Sequence, residues 1–422
     1  MLLRMTEPEV AATSASPGSR LPGPQLRRVV AVLCATEITS WGVLFYAFPV
    51  LVTSISAEEG WPVTRLVAAF TVAQLIAAVA GVWVGRRIDS HGPRSVMTAG
   101  SLVGVIAAAA VAVAPSLPAF FAAWVLAGFA MSATLYAPAF SAVTGWAGGD
   151  AAARVRALTA VTLVAGFAST VFAPLSAVLL GHLGWRTTYL VLAAVLVATV
   201  PAHLFGLAAP WTPLTHTASG LGGDRPPAAP VSWRSGDFLL VTAGLALAGF
   251  AVFASVINLV PMLVQEGLST TQAAVVLGVG GAGQVAGRLV YAPLLAPRAL
   301  RTRGVVTLVG VAATIAALAM VHTPLVAVLA LSFVAGSARG IFTLIQATGV
   351  ADRWGLAGLG ARNGIVSGAV MATTASAPWV GAALAAALGS YATAFWVLAG
   401  CAVVGAGLVG AADTRRAVSG GA

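Results

Sequence analysis

The sequence predicts an all-α membrane protein in which twelve transmembrane helices form two pseudo-symmetric halves of six. Three observations predict this fold class. Of the 422 residues, 59% are hydrophobic and only 8% are charged, whereas a soluble protein of this size needs far more surface charge. Twelve apolar runs each approach the ~20 residues that cross a bilayer as a helix. Short motifs of the first six runs also recur in the last six.

The apolar runs follow one another with short gaps, which suits antiparallel neighbouring helices. In chain order they are Val29–Thr53, Val63–Val84, Val96–Val113, Ala119–Thr144, Ala157–Leu180, Thr187–Ala208, Phe238–Val264, Thr271–Leu295, Gly304–Val321, Pro324–Gly349, Asn363–Leu388 and Thr393–Ala412. One gap is longer than the rest, and it divides the runs six and six.

This long gap sets the predicted domain organisation. Residues 209–236 contain five prolines and several glycines, a composition typical of a flexible cytoplasmic linker. The linker separates an N-terminal six-helix half at 27–208 from a C-terminal six-helix half at 237–412. Residues 1–26 are polar and rich in proline, serine and alanine, and they predict a disordered cytoplasmic tail. A second, short cytoplasmic tail is predicted at 413–422.

The distribution of arginine predicts the orientation. The chain has 22 basic residues, all of them arginine. If the N-terminus is cytoplasmic, nineteen arginines fall in or beside cytoplasmic segments, Arg65 and Arg186 fall outside, and Arg339 lies within a run. The positive-inside rule then predicts that both termini are cytoplasmic and that this is a multi-pass protein of the inner (plasma) membrane.

Composition also bounds the classes of partner. The net charge of +10 does not indicate a nucleic-acid partner, because the arginines are spread over short loops and no recognition motif accompanies them. Cys34 and Cys401 lie in apolar runs near opposite ends of the chain, and the sequence has no CxxC or Cys/His cluster. Neither a zinc site nor a disulfide framework is expected. The sequence has no phosphate-binding loop, so direct use of ATP is not expected. We predict no cofactor and no metal.

The two halves repeat at three places with nearly constant offset. The matching pairs are Gly85-Arg86 with Gly287-Arg288, offset 202; Ala173-Pro174 with Ala377-Pro378, offset 204; and the loop glycines Gly184 and Gly389, offset 205. The two members of each match lie at the same end of runs that occupy the same place in their halves, such as the second and the eighth run. A duplication of six helices about the linker explains this spacing.

A short basic turn lies between the second and third runs, with the sequence Gly85-Arg86-Arg87-Ile88-Asp89-Ser90-His91-Gly92-Pro93-Arg94. Gly92 suits a turn with positive φ, and Pro93 fixes φ at the next position. The pattern resembles the loop between helices two and three of major facilitator superfamily transporters. Together with the duplication, the resemblance implies the major facilitator fold, with a central cavity between the halves.

The same resemblance implies a conformational gate formed by Gly85, Asp89, Gly92 and Arg94. In that family the loop aspartate stabilises one conformation by meeting arginines and the N-terminus of helix eleven. Ser90 stands where the family usually has a basic residue, which loosens the match.

Ionisable groups inside apolar runs are costly and indicate function. Arg339 lies near the middle of the tenth run and Glu37 in the first. Arg339 has to be paired or face water, so it either forms a structural pair with Glu37 or recognises an anionic group of the substrate. Glu37 is correspondingly either a proton-coupling carboxyl or the structural partner of an arginine.

Further polar candidates for substrate binding accompany Arg339. They are Gln74, Tyr136, Asn258, Gln284 and Arg288. Gln284 precedes Arg288 by four residues, which places both on one helix face. This spacing resembles the helix-eight pattern of the bacterial monocarboxylate-porter-like branch, although Gln284 replaces its acidic form. The alternative for Arg288 is that it reaches the cytoplasmic interface.

We therefore predict a secondary active transporter of a small organic solute, an anion such as a carboxylate, working by alternating access with proton coupling. The predicted partners are that solute, protons and the lipid bilayer, and the protein is expected to be a monomer. Two alternatives remain. A drug/proton antiporter is disfavoured because Trp124 precedes Gly128 where that branch has an arginine. A non-transporting sensor or membrane-embedded enzyme lacks support, because the histidines are scattered and none pairs with an acid.

Overall fold

The computed structural model describes residues 21–148, 150–212, 235–294, 299–354 and 359–412. Within these ranges the regular structure is helical throughout. The predicted tails lie largely outside the described residues, and so do residues 213–234 of the predicted linker. Helix formation begins at Gly23, so the last part of the segment predicted as a tail is already helical.

The first six membrane spans account for residues 23–206. Span 1 comprises Gly23–Trp41, a π-helical turn at Gly42–Tyr46 and Ala47–Glu59; span 2 is Val63–His91, span 3 is Pro93–Val113, and span 4 comprises Leu117–Thr134 and Tyr136–Ala147. Span 5 begins with Ala151–Gly166 and continues into Ala168–Val197. The latter helix also contains the start of span 6, which ends with Thr199–Gly206.

The last six spans follow the linker. Span 7 is Gly236–Gln265, span 8 Thr270–Leu294, span 9 Leu300–Leu318, span 10 Leu325–Trp354, span 11 Leu359–Leu388 and span 12 Tyr391–Ala411. Several helices are longer than the apolar runs, because they continue past the bilayer core.

Eleven stretches of the described residues are long and apolar enough to cross a membrane. One of them, Ala152–Gly206, has 55 residues and would be about 80 Å long as one straight helix, against about 30 Å for the hydrocarbon core. Gly184 breaks it with φ 72, and this turn separates span 5 from span 6. The twelve-helix fold class is thus confirmed. The repeated loop glycine, Gly389, has φ 79 and separates spans 11 and 12 in the same way.

Several spans begin with a capping side chain that satisfies a free amide of the first turn. The side chains of Ser116, Asp150, Ser235 and Ser390 accept hydrogen bonds from the backbone amides of Ala119, Ala153, Phe238 and Thr393, respectively. These caps fix where spans 4, 5, 7 and 12 start.

The two sets of six spans meet along two seams, span 5 against span 8 and span 2 against span 11. At the first seam the Thr170 hydroxyl donates to the Gly278 carbonyl at 2.8 Å. At the second seam the Trp379 amide donates to the Thr71 hydroxyl at 3.1 Å. Both contacts lie near the middle of the predicted spans. Further towards the predicted outer side, Val50, Ile257 and Ala382 are buried in clusters that both sets of spans share, so the two sets are packed together on that side.

An arginine ties three span ends together on the predicted outer side. The Arg186 guanidinium pairs with the Glu59 carboxylate at 2.8 Å and donates to the carbonyls of Ala112 and Ala114 at 2.8 and 3.1 Å. It also lies 4.4 Å from the Trp185 ring centroid. The ends of spans 1 and 3 and the start of span 6 are joined by this one side chain.

The second set of six spans repeats this tie with other residues. His322, just after span 9, lies 3.2 Å from the Glu266 carboxylate at the end of span 7. The expectation that no histidine pairs with an acid is therefore wrong at this position. The Tyr391 amide, at the start of span 12, donates to the Gln265 side chain at 2.9 Å. The ends of spans 7 and 9 and the start of span 12 are therefore joined, as are the corresponding ends of spans 1 and 3 and the start of span 6. Of the residues that join them, only the glutamates Glu59 and Glu266 are alike.

We expect Arg186→Ala to lower the stability of the protein, by about 1–2 kcal/mol, because it removes charge-assisted hydrogen bonds at a partly exposed site. Thermal unfolding in detergent measures this. Arg65→Ala is the matched control, since Arg65 is exposed on the same predicted side and its side chain makes no described contact. Equal loss of stability in the two variants would show that the tie contributes nothing specific.

Candidate functional site

Glu37 is the most deeply buried carboxyl of the described spans, with an exposed fraction of 0%. Its Oε2 accepts a hydrogen bond at 3.1 Å from the Trp41 indole, one helical turn further along span 1. Its Oε1 has no partner among the described atoms. The π-helical turn Gly42–Tyr46 follows directly, and such turns are frequent at functional sites.

Aromatic side chains line the same region of spans 1 and 4. The Trp41 ring lies 4.9 Å from Tyr136 and 6.3 Å from Tyr46, measured between centroids. Phe45 contacts Tyr46 at 5.0 Å, and Phe140 stacks on Tyr136 at 5.2 Å. These five residues form what we call the aromatic wall. Through Trp41, the wall is hydrogen-bonded to Glu37.

Arg288 projects from span 8 towards the aromatic wall. Its guanidinium donates to the Thr162 carbonyl of span 5 at 2.6 Å, and it interacts with the Tyr136 hydroxyl. The side chain therefore bridges the first and second sets of spans. This position differs from the alternative in which Arg288 extends to the cytoplasmic interface.

Arg339 lies beside Arg288, and its described hydrogen bonds go to neutral groups. Nε donates to the Gln284 side-chain oxygen at 3.1 Å, and a terminal nitrogen donates to the Gly280 carbonyl at 3.3 Å. Arg288 and the Tyr46 hydroxyl are close enough to act on it electrostatically. Arg339 also borders a cavity of about 30 Å³ between spans 7 to 10. Arg288 and Arg339 are called the arginine pair below.

The arginine pair and Glu37 do not form an ion pair. Glu37 bonds to Trp41 and Arg339 bonds to Gln284, so the structural pair that the sequence left open is not formed in this structure. Glu37 acts on Tyr136 electrostatically, as does Arg288. Tyr136 is thus near both the carboxyl and Arg288.

Glycines set the distance between Gln284 and Arg339. Spans 8 and 10 approach so closely that a Cβ atom at Gly336 would meet the backbone of Gly280, and one at Gly340 would meet the backbone of Gln284. Close backbone contact through small residues is the usual means of packing membrane helices. Here it brings an amide and a guanidinium on neighbouring spans within hydrogen-bonding distance.

The remaining polar candidates lie at seams between spans. Asn258 is 1% exposed, and its amide donates to the carbonyls of Ala254 at 2.9 Å and Pro378 at 3.3 Å. It therefore braces the proline of span 11. Gln74 follows Thr71 by three residues, so it shares the helix face that meets span 11. Neither side chain makes a described contact with the arginine pair.

The predicted gate is held by contacts with the end of span 6 and the residues after it. Gly92 has the expected positive φ, 83°, and the Arg94 guanidinium donates to the Leu204 carbonyl at 2.7 Å. A Cβ atom at Gly85 would meet nothing, so no close approach requires this glycine. Within the described ranges, the Asp89 side chain makes no hydrogen bond or ion pair.

Trp211, which sequence reasoning did not single out, supports this gate. Its indole donates to the Asp89 backbone carbonyl at 3.3 Å, and its ring lies against Gly92 and Gly145. Trp146 packs edge-to-face on it at 5.7 Å. The only signal in the sequence is a large aromatic residue inside a segment rich in proline and glycine.

Comparison with known proteins identifies the fold. The family model for the Major Facilitator Superfamily matches residues 30–358. Among solved structures, a crystal structure of the nucleoside transporter NupG superposes with a TM-score of 0.70 at 15% sequence identity, covering 91% of this chain and 98% of that one. At this identity the likeness shows the fold alone. A search of curated proteins finds no match.

The family model covers well over half of the chain, and the structure supplies the helices that this family requires. The protein is a multi-pass membrane transporter and not an enzyme. Its solute is a small molecule, and its surroundings are the lipid bilayer. The chain belongs to the major facilitator superfamily of secondary transporters.

Proposed function

We propose that the protein transports a small organic anion, a carboxylate with an apolar body, bound between the arginine pair and the aromatic wall. The observation that carries this proposal is the arginine pair itself. Two guanidinium groups, on spans 8 and 10, are close enough to act on each other electrostatically, and their described partners are carbonyl, amide and hydroxyl groups. A carboxylate would neutralise charge that none of these partners neutralises.

The donors of Arg339 are only partly used. A guanidinium has five N–H groups, and the described hydrogen bonds of Arg339 occupy two of them. The remaining donors match the two oxygens of a carboxylate. The amide of Gln284 fixes the orientation of the guanidinium, so that its fork is presented in one direction.

The aromatic wall supports the second part of the proposal. Ligand sites combine an apolar surface with a few polar groups that fix orientation. The rings of Trp41, Tyr46 and Tyr136 supply the surface, and the arginine pair supplies the orientation. A solute with a carboxylate at one end and an apolar body at the other would fit both.

Proton coupling is proposed for Glu37. An ionised carboxyl at 0% exposure with one indole donor would be costly inside the membrane, and a bound proton removes that cost. Because Tyr136 is near both Glu37 and Arg288, proton and anion would bind to neighbouring groups. Loading one of each leaves the net charge of the occupied site unchanged, which makes the movement of both across the bilayer less costly.

The gate residues fit an alternating-access cycle. In this structure the two sets of spans are packed together on the predicted outer side, while the Asp89 side chain has no described partner. We propose that Asp89 engages the positive N-terminal end of span 11 when the predicted cytoplasmic side closes. The orientation with both termini in the cytoplasm, the inner membrane location and the monomeric state are part of this proposal.

Arg339→Lys keeps the positive charge but loses the planar fork, so we expect apparent affinity for carboxylates to fall at least tenfold, about 1.4 kcal/mol. Counterflow in proteoliposomes, with a series of carboxylic acids and their matched neutral amides, measures this. The acids should exchange and the amides should not. Arg301→Lys, at an exposed position, is the control. Normal exchange of every solute by Arg339→Ala would place the site elsewhere.

Glu37→Gln keeps the size of the side chain and a carbonyl oxygen for the Trp41 indole, but it cannot exchange a proton. We expect pH-driven accumulation of the solute to be lost while counterflow continues. Uptake with and without an imposed pH gradient separates the two. Glu58→Gln, at an exposed position, should behave as wild type. Full pH-driven accumulation by Glu37→Gln would assign Glu37 to packing.

Asp89→Asn should favour the state closed on the predicted outer side, because it loses the charge that is proposed to engage span 11 in the other state. The readout is the labelling rate, from the outer face, of Val50→Cys in a Cys34→Ser, Cys401→Ser background. Val50 is buried in this structure, where it packs with the second set of spans. Labelling should fall at least several-fold. Glu58→Gln, at an exposed position, is the control; unchanged labelling in Asp89→Asn would make the loop a plain turn.

A further inference from the structure

A groove of about 480 Å³ lies between the first turns of span 1 and span 5. Two guanidinium groups border it, and its walls are otherwise apolar. The lining residues that matter here are Arg27, Leu26, Val30, Arg156, Ala157 and Ala160. The combination of two cations with aliphatic walls suits an amphiphile that is anionic at one end.

Both arginines of the groove are free to bind a ligand. Within the described part of the chain, the side chains of Arg27 and Arg156 make no hydrogen bond and no ion pair, and both residues are exposed. Arg186, Arg288 and Arg339, by contrast, are all engaged. The nearby carboxylate of Asp150 is used as the helix cap of span 5. Neither arginine of the groove takes part in a described ion pair.

The groove faces the bilayer. Its back is closed by span 4, because Ala139, Ala142 and Val143 belong to the same buried cluster as Leu26. Span 5 is interrupted at Phe167, between the helices Ala151–Gly166 and Ala168–Val197. Phe167, and beyond it Val171 and Val178, are 39, 48 and 50% exposed. Large apolar side chains exposed along a membrane span contact acyl chains.

We propose that this groove binds one anionic phospholipid, with its phosphate between Arg27 and Arg156 and an acyl chain along Val30, Ala157 and Ala160. Arginine matches phosphate oxygens with two parallel hydrogen bonds, and basic pockets between spans hold anionic headgroups. Both arginines lie near the first residues of their helices, which is the level of the headgroups.

The position gives the lipid a role in holding two spans that contribute to the site. Span 1 carries Glu37, and span 5 carries the Thr162 carbonyl that accepts from Arg288. A phosphate that binds Arg27 and Arg156 at once bridges these spans at their ends. The lipid would stabilise the packing of spans 1 and 5 whatever solute the protein carries.

The test is lipid retention by the purified full-length protein, measured by native mass spectrometry, together with thermal unfolding. The wild-type protein should retain one molecule of phosphatidylglycerol in preference to phosphatidylcholine. It should also unfold at a higher temperature when phosphatidylglycerol is added. Arg27→Ala/Arg156→Ala should lose both effects, with binding weakened at least tenfold. Arg28→Ala/Arg86→Ala removes the same charge from exposed positions outside the groove and should keep both effects.

A milder pair of substitutions covers the possibility that the double alanine variant does not fold. Arg27→Lys/Arg156→Lys keeps the charge but loses the fork, so retention should weaken while the fold persists. Equal retention of phosphatidylcholine, or equal loss in the control variant, would overturn the proposal. Equal stabilisation by inorganic phosphate alone would assign the groove to a free anion and would overturn it as well.

Discussion

The candidate site depends on one constraint, which is that the guanidinium of Arg339 lies in the membrane-spanning region and needs polar partners there. Such a charge costs several kcal/mol unless polar groups surround it, and here the side chain of Gln284 and the carbonyl of Gly280 do so for Arg339. Those partners are within reach only because glycines let spans 8 and 10 touch along their backbones. The neutral partners solvate the charge without cancelling it, and this is the basis of the proposal that the solute is an anion.

Glu37 and the arginine pair have separate hydrogen-bond partners in this structure. Direct pairing would satisfy both groups and leave nothing for a proton or an anion to do. In this structure the carboxyl bonds to Trp41, and Arg288 interacts with Tyr136 instead. This separation is the reason that we propose separate places for the proton and the anion.

Sequence reasoning reached the features that depend on local pattern. Hydropathy predicts the spans, and the positive φ predicted for Gly92 is observed. The repeat located the loop glycines Gly184 and Gly389, although it did not predict their positive φ. It did not decide whether Glu37 pairs with Arg339, because one sequence does not give the distance between spans 1 and 10. Trp211 was missed because an isolated tryptophan among prolines shows no periodicity, although it closes the underside of the gate.

The most direct test of the central claim is a structure of the protein in lipid nanodiscs with a transported carboxylate bound. The account predicts a carboxylate oxygen within about 3 Å of a guanidinium nitrogen of Arg339, with the body of the solute against Trp41, Tyr46 or Tyr136. A solute bound away from both arginines, or an ion pair between Glu37 and Arg339 in the occupied protein, would contradict it.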